Sequence, residues 1–441
     1  MTPQSYRALG RKKVSMTVDM AVAGEPTRLD ELSVTGATRS SRKKSLVVIV
    51  AAAAILLILG IVSGSAQATL RLGGLGDVAL TLPVRLVCTT AAALSLIFAV
   101  ALYRMPLRER TTPVHMIPVT ASLLLLALGI IDWAARDNSA NLSGIAEISV
   151  TASIPLIFGA TAGALCERAG SFNIAIEGEF LAAAFLSALV GSISGNAWLG
   201  LAAGAAAGLG VGALLAVITV RYRVSQVVAG IILVLLFTGL TGFLTYQILD
   251  ANTTAYNSPP TFGTWSIPLL SEIPLIGQAL FHQSPLFYGA VIIVFAVEFV
   301  LRRTVIGLRI RSVGENPQAA SGSGVNAQRI RFATVTIAGA IAGIGGTYFT
   351  IGSSGQFVAG MSSGLGYVSL AAVILGGWRP AQAAMSALLF GFATSLATTF
   401  SLLGVTVPSS LLLMVPYAIT IVVVAGVVTH GKAPAAGGAT L

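Results

Sequence analysis

The run Glu167-Arg168-Ala169-Gly170-Ser171-Phe172-Asn173-Ile174-Ala175-Ile176-Glu177-Gly178-Glu179 sets amide and ionisable groups into an otherwise apolar stretch. Asn173 and Glu177 are four residues apart, a spacing that shares one helix face. An ionisable side chain in such a setting is costly and usually faces a bundle interior or a watery cavity. Two roles fit it. Asn173 and Glu177 line a solute path, or they hold the broken start of a helix and fix its packing. Glu179 falls roughly 200° around the helix from Glu177, so the two carboxylates do not make the facing acid pair of a glycosidase. Further on, Ser353 to Gly364 is small and polar between apolar runs. At membrane depth such backbone survives only where protein or water satisfies it. Gln356 and Phe357 are the residues there that could touch a solute, and a plain extracellular turn is the alternative.

The second concentration of chemistry is RRTVIGLRIRSVGENPQAASGSGVNAQRIR, residues 302–331, strongly basic and polar between two apolar segments. Asn316 suits a helix cap, Pro317 the first helical position, and Gly322 and Gly324 a stop. That predicts a helix of barely two turns, too short to stand alone. A short capped helix on the positive side of a membrane protein reads as a knob that docks into a partner. Arg309, Arg311, Arg329 and Arg331 flank it, placed to meet headgroups and acidic partner residues.

These groups need a bilayer scaffold. Hydrophobic residues make up 55% of the 441 and charged residues 10%, which excludes an ordinary soluble domain. Apolar runs long enough to cross ~30 Å of hydrocarbon are expected at 46–66, 84–103, 114–135, 144–165, 171–194, 198–219, 227–249, 286–301, 332–352, 364–378, 381–403 and 409–428. The stretches 171–194 and 353–378 could hold broken or re-entrant pieces. With the N-terminus in the cytoplasm, all but three of the 26 lysines and arginines (Arg71, Arg85 and Arg136) fall on one side. The positive-inside rule gives this pattern for twelve spans with both termini inside. The net charge of +10 is therefore topological, and no soluble domain is present to read nucleic acid.

Four segments follow: a basic tail over 1–45, expected to be disordered; an accessory membrane segment over 46–143; a core over 144–428; and a tail over 429–441. Gly200, Gly204, Gly208 and Gly212 form a stripe for close helix approach, as do Gly339 and Gly343. Glu298 precedes Arg302 by four residues and predicts an interface ion pair. Asp132 and Glu147, near span ends, could reach headgroups. The loop 250–285 has five prolines, two acids and no Lys or Arg. It reads as an ordered cap, either structural or a docking surface, with Asn252, Asn257 and Trp265 as ordinary interface residues. Cys88 and Cys166 read as buried small hydrophobes. No metal-ligand cluster, catalytic constellation or phosphate-binding GxxxxGK[ST] occurs, so no catalytic residue, metal or bound cofactor is expected in this chain.

The blocks ERAGSFNIAIEGEF, LRIRSVGENPQAASGSGVNAQRIRFATVTIAGAIAGIGG and GMSSGLGYVSLAAVILGGWRPAQAAMSALLFGF resemble bacterial ABC-importer permeases of the branched-chain amino acid and simple-sugar class. They most resemble the nucleoside-importing branch. The resemblance covers about 144–428 and implies a heteromeric importer. Its other parts would be a related second permease, a cytoplasmic ATPase holding ATP and Mg, and an extracytoplasmic substrate-binding lipoprotein. It places coupling to the ATPase on Gly314, Glu315, Asn316, Pro317, Ala319 and Ala320, the two small alanines letting the knob enter a groove closely. Glu179 stands where the family usually has an apolar residue.

The expectation is an all-α polytopic protein of about twelve transmembrane helices, roughly nine in the core and three accessory. It would be a multi-pass permease of the bacterial inner membrane, moving a small uncharged solute: a nucleoside first, a simple sugar such as a pentose second. Two rivals remain. An ion-coupled secondary transporter fits the span count, with Glu177 as a proton site, but lacks paired half-repeats. A membrane enzyme acting on lipid-linked sugars lacks acid clusters.

Overall fold

The computed structural model describes residues 28–73, 79–104, 116–404, 414 and 433–438, with side chains from residue 45 onward except at 116, 117 and 120. Its helices are α1 (Arg28–Val62), α2 (Val84–Arg104), α3 (Met116–Ala134), α4 (Leu142–Arg168), α5 (Ile176–Ser194), α6 (Ala197–Ala216), α7 (Gln226–Leu244), α8 (Thr253–Tyr256), α9 (Ile276–Phe281), α10 (Pro285–Arg303), α11 (Val305–Glu315), α12 (Pro317–Gly322), α13 (Ala327–Thr347), α14 (Leu365–Leu375) and α15 (Pro380–Leu402). Five short strands accompany them: β1 (Gln67–Arg71), β2 (Ala79–Pro83), β3 (Ser139–Asn141), β4 (Trp265–Ser266) and β5 (His282–Gln283).

Among the described residues, 9 helices are long and apolar enough to cross a membrane. Three of these are lengthened by π turns, Val217–Arg221 after α6, Thr245–Leu249 after α7 and Thr350–Ser354 after α13. Two more expected spans correspond to shorter apolar helices, Ala121–Ala134 and Leu365–Leu375. The last one, 409–428, lies outside the described residues apart from Met414, as does most of the 429–441 tail. The protein is a multi-pass, mainly helical membrane protein.

The N-terminal tail departs from expectation. Helix α1 begins at Arg28, ahead of the expected start of the first span at Leu46. No proline lies between Arg28 and Pro83, so a helix nucleated in the apolar span propagates back through the polar residues. Residues 1–27 lie outside the described residues.

The chain forms two compact units, one from Met1–Leu56 and Ala91–Leu126, the other from Leu57–Thr90 and Ala127–Leu441. The smaller is held by Ile49 against Ala99 and Leu102, and by Leu56 against Ala91 and Ala92. The segment 46–143 is thus divided rather than separate from the core. A sheet of order β2-β1-β3 and a cluster of Ala68, Val84, Cys88, Ile131 and Ile145 bind its other parts into the larger unit. Asp132 does not reach outward; it is fully buried in that unit.

Helix α4 is the axis of the larger unit: 83% of its most apolar stretch is buried, against 28% for α7. Helices α6 and α13 cross almost backbone to backbone along the expected glycine stripes. A Cβ at Gly208 would stand 2.3 Å from the Gly339 carbonyl oxygen and 2.5 Å from the Gly343 Cα. Only glycine allows that approach.

Candidate functional site

The three sequence blocks meet around one end of α4. After Arg168 the chain does not leave that end; residues 169–175 turn back alongside the helix. A Cβ at Gly163 would lie 3.5 Å from Ile176, and one at Gly159 would lie 2.8 Å from Phe180. Helix α5 therefore starts level with the turn before the end of α4, inside the apolar layer. The 171–194 span is broken at its start, as its polar residues predicted.

Asn173 is not on the same helix face as Glu177, because α5 begins only at Ile176. It sits in the re-entrant segment and serves a turn of its own. Its side-chain oxygen accepts from the Ala175 N–H (3.1 Å), and its amide donates to both Glu179 oxygens at 3.1 and 3.0 Å. The sequence spacing assumed a continuous helix, and the Asx turn breaks it. Asn173 and Glu179 are both fully buried. Glu179 is thus half of an internal pair.

Glu177 points the other way. One of its oxygens accepts from Ser362 Oγ (2.6 Å) and the Gly364 N–H (2.7 Å), the other from the Gly366 N–H (2.7 Å). Its carboxyl group caps the N-terminus of α14, taking up amides that the helix itself leaves without partners. Gly366 is required there, since a Cβ would come within 2.5 Å of the Glu177 nitrogen. Helix α14 is only eleven residues long and begins beside Glu177, so the 353–378 stretch holds a half-helix. This geometry favours the packing role for Glu177.

The far end of α14 is tied to α4 as well. Trp378, at φ +59°, donates its indole N–H to Glu167, and Arg168 Nε donates back to the Trp378 carbonyl at 2.7 Å. Neither contact is legible from sequence, because each joins residues some 210 positions apart.

Arg331 does not flank the 302–331 loop on its surface. It is 2% exposed, and donates to the carbonyls of Ala169 (3.0 Å) and Ala436 (3.2 Å). Its spacing along α13 turns it to the end of α4, where carbonyls left without helical partners attract a cation. Asn316 caps α12, its side-chain oxygen accepting from Gln318 N–H (3.1 Å) and Ala319 N–H (3.0 Å), with Pro317 at the first position. Gly324, at φ +83°, follows the helix end. The predicted two-turn helix is there.

Its surface is smaller than the sequence implied. Glu315, Asn316, Gln318 and Ala319 are exposed, whereas Gly314 and Ala320 are buried. Ala320 packs inward with Val313 and Ala327, so only one of the two alanines can meet a partner. Gly314 is pressed on the end of α4: a Cβ there would be 2.1 Å from the Arg168 carbonyl oxygen. The C-terminal residues 433–438 enter the same joint. Ala436 N–H donates to the Gly314 carbonyl (2.9 Å), and Gly438 N–H to that of Gly170 (3.3 Å).

Ahead of the N-terminus of α14, Phe357 is 2% exposed and meets Phe185 edge to face at 5.5 Å. Asn257 grips its backbone from both sides, accepting from its N–H (2.6 Å) and donating to its carbonyl (3.0 Å). A buried Phe357 cannot line a path in this state; Gln356 beside it is exposed. Asn257 is a bracket rather than an ordinary interface residue, a role missed because its partner lies 100 residues away. Glu298 and Arg302 form the expected ion pair at the end of α10.

This convergence can be set beside known proteins. Residues 145–424 match the model of the branched-chain amino acid transport system permease component. The chain belongs to that family. The permease is 38% identical over 295 residues to the nucleoside ABC transporter permease protein NupC of Lactococcus lactis, covering 65% of this chain and 92% of that one. It is 35% identical over 308 residues to the guanosine ABC transporter permease protein NupQ of Bacillus subtilis, covering 67% and 96%. A second Lactococcus lactis permease, the nucleoside ABC transporter permease protein NupB, is 26% identical over 255 residues, covering 56% and 67%. No solved structure matches the chain. The permease is a membrane subunit of an ABC transport system; its family is not itself catalytic.

Proposed function

We propose that the permease forms half of the pore of an ATP-driven nucleoside importer in a bacterial inner membrane, with both termini cytoplasmic. The observation that carries this reading is the exposed, capped α12, seated through Gly314 on the end of α4 where the family blocks meet. Its free face, Glu315 to Ala319, would be gripped by a cytoplasmic ATPase that binds ATP and Mg. Motion there would pass through Gly314 and Arg331 to the end of α4 and the re-entrant segment. From these, Asn173, Glu177 and the half-helix α14 would shift between outward and inward access, with Gln356 near the outer gate. A related permease would supply the other half of the pore, and an extracytoplasmic lipoprotein the solute.

A nucleoside is the cargo of choice because NupC and NupQ carry nucleoside and guanosine in their names. An uncharged solute also suits the chemistry. The half-helix N-terminus that could hold an anionic solute is already occupied by Glu177, and Glu179 is engaged by Asn173. The test is uptake of labelled guanosine into proteoliposomes holding the permease with a second permease, an ATPase, a binding lipoprotein and ATP. Ala319→Trp should abolish uptake while the protein still inserts and assembles with the second permease. Normal uptake by that variant would remove α12 as the coupling element.

A further inference from the structure

The loop between α7 and α10, at the end opposite α12, presents an unusual surface. Between Trp265 and Leu280, eight large apolar side chains are exposed: Trp265, Ile267, Leu269, Leu270, Ile273, Leu275, Ile276 and Leu280. Leu269 is 82% exposed, Trp265 55% and Ile276 51%. Exposed apolar area of this extent marks an interaction site. The segment is ordered rather than loose. Strand β4 pairs with β5, Gly277 packs on the Ser271 carbonyl, and Leu275 N–H donates to the Leu72 carbonyl at 3.2 Å.

Its height is fixed by the spans it touches. Tyr288, in the first turn of α10, donates its hydroxyl to the Trp265 carbonyl (3.2 Å). Gln278 and His282 share a polar cavity of about 300 Å³ with Glu147, in the second turn of α4. Phe262 N–H donates to the Ile351 carbonyl in the π turn that ends α13 (2.8 Å). The loop therefore lies beside the terminal turns of membrane-crossing helices, at headgroup height. On α10 the exposed apolar side chains continue through Val291, Ile292, Phe295 and Phe299. The loop's composition fits an interface: an aromatic ring, aliphatic side chains, one carboxylate (Glu272) and no Lys or Arg.

We propose that residues 265–280 are an interfacial anchor. They insert their apolar side chains into the headgroup–acyl boundary of the leaflet opposite α12 and fix the cap over the ends of α4, α10 and α13 against the bilayer. The occupant is lipid. An interface with a soluble partner carries a polar rim around its apolar core, and the only ionisable side chain across 265–280 is that of Glu272.

The test places an environment-sensitive fluorophore on Leu269→Cys in nanodiscs; Cys88 and Cys166 are buried and do not compete for label. Lipids carrying a nitroxide at the shallow end of the acyl chain should quench it at least about twofold, as expected for a side chain ~5–10 Å into the boundary. Aqueous iodide should leave it nearly unchanged. A second label at Ile276→Cys should behave alike, and should lose its lipid quenching when Leu269 and Ile273 are replaced by Asp. Quenching by iodide and not by lipid nitroxide in both labelled proteins would overturn the anchor. So would protection of both labels by an added extracytoplasmic binding protein or a second permease copy, which would make the patch a protein interface.

Discussion

Two polar regions sit within a few residues of the same joint, and they are built on opposite terms. The first is the seam of Asn173, Glu177, Glu179 and Arg331, all buried, with the half-buried Trp378. Asn173 and Glu179 pair six residues apart, and the others find partners across long sequence separations, Glu177 on Ser362, Arg331 on Ala169 and Trp378 on Glu167. The second is α12, six residues long, capped by its own Asn316 and exposed on Glu315, Asn316, Gln318 and Ala319. A buried polar group that loses its partner is penalised by its full desolvation cost, so the seam can move only as a connected body. An exposed helix of this length has no such cost and no stability of its own. The seam is therefore suited to transmit displacement, and α12 to receive it.

Substitutions that separate these properties should break or sharpen the contrast. The largest expected effect is on transport without stability: Ala319→Trp should reduce ATP-driven uptake to background while the unfolding midpoint in detergent stays within about 0.5 kcal/mol of wild type, as for other exposed sites. The largest effect on stability should come from Glu177→Ala. It leaves Ser362 Oγ and the Gly364 and Gly366 amides without their acceptor, at a cost of about 3 kcal/mol. Glu177→Gln, which keeps one acceptor oxygen, should recover part of that in the same unfolding titration. Arg331→Met should cost about 2 kcal/mol by stranding the Ala169 and Ala436 carbonyls, and should release residues 433–438 to a protease. Asn316→Ala removes both cap bonds and should cost about 1 kcal/mol locally. It should also lower uptake several-fold with little change in global unfolding. Glu298→Gln should matter least, about 0.5 kcal/mol, because Arg302 is 54% exposed and its pairing is screened.

The same contrast explains what the sequence made legible. Helix α12 was readable in full, cap, first position and stop, because every determinant lies within nine residues. Nine of the expected spans and the glycine stripes were readable from length and periodicity. The break before α5 and the half-helix α14 were readable as polar interruptions, though not their bonds. The spacing of Asn173 and Glu177 suggests one helix face, but an Asx turn at Asn173 precedes α5 and separates them. Arg331 reads by sequence as a surface flank, although an arginine entering an apolar helix at Phe332-Ala333-Thr334 is a signal for burial. The grip of Asn257 on Phe357 and of Trp378 on Glu167 depends on which span lies next to which, and one sequence does not encode that in any local pattern. The sheet of β1, β2 and β3 was missed, although Thr69-Leu70-Arg71-Leu72 and Leu80-Thr81-Leu82 alternate as strands do.

The division of labour between α12 and the seam can be tested most directly by site-specific crosslinking to the partner ATPase. In the assembled transporter, Ala319→Cys should crosslink to the ATPase with a short bifunctional reagent, and the yield should change between nucleotide-free and ATP-trapped states. Ala320→Cys, one residue on and turned against Val313 and Ala327, should not crosslink in either state. Crosslinking at 320 with none at 319 would contradict the orientation of α12 and with it the route by which motion enters the seam.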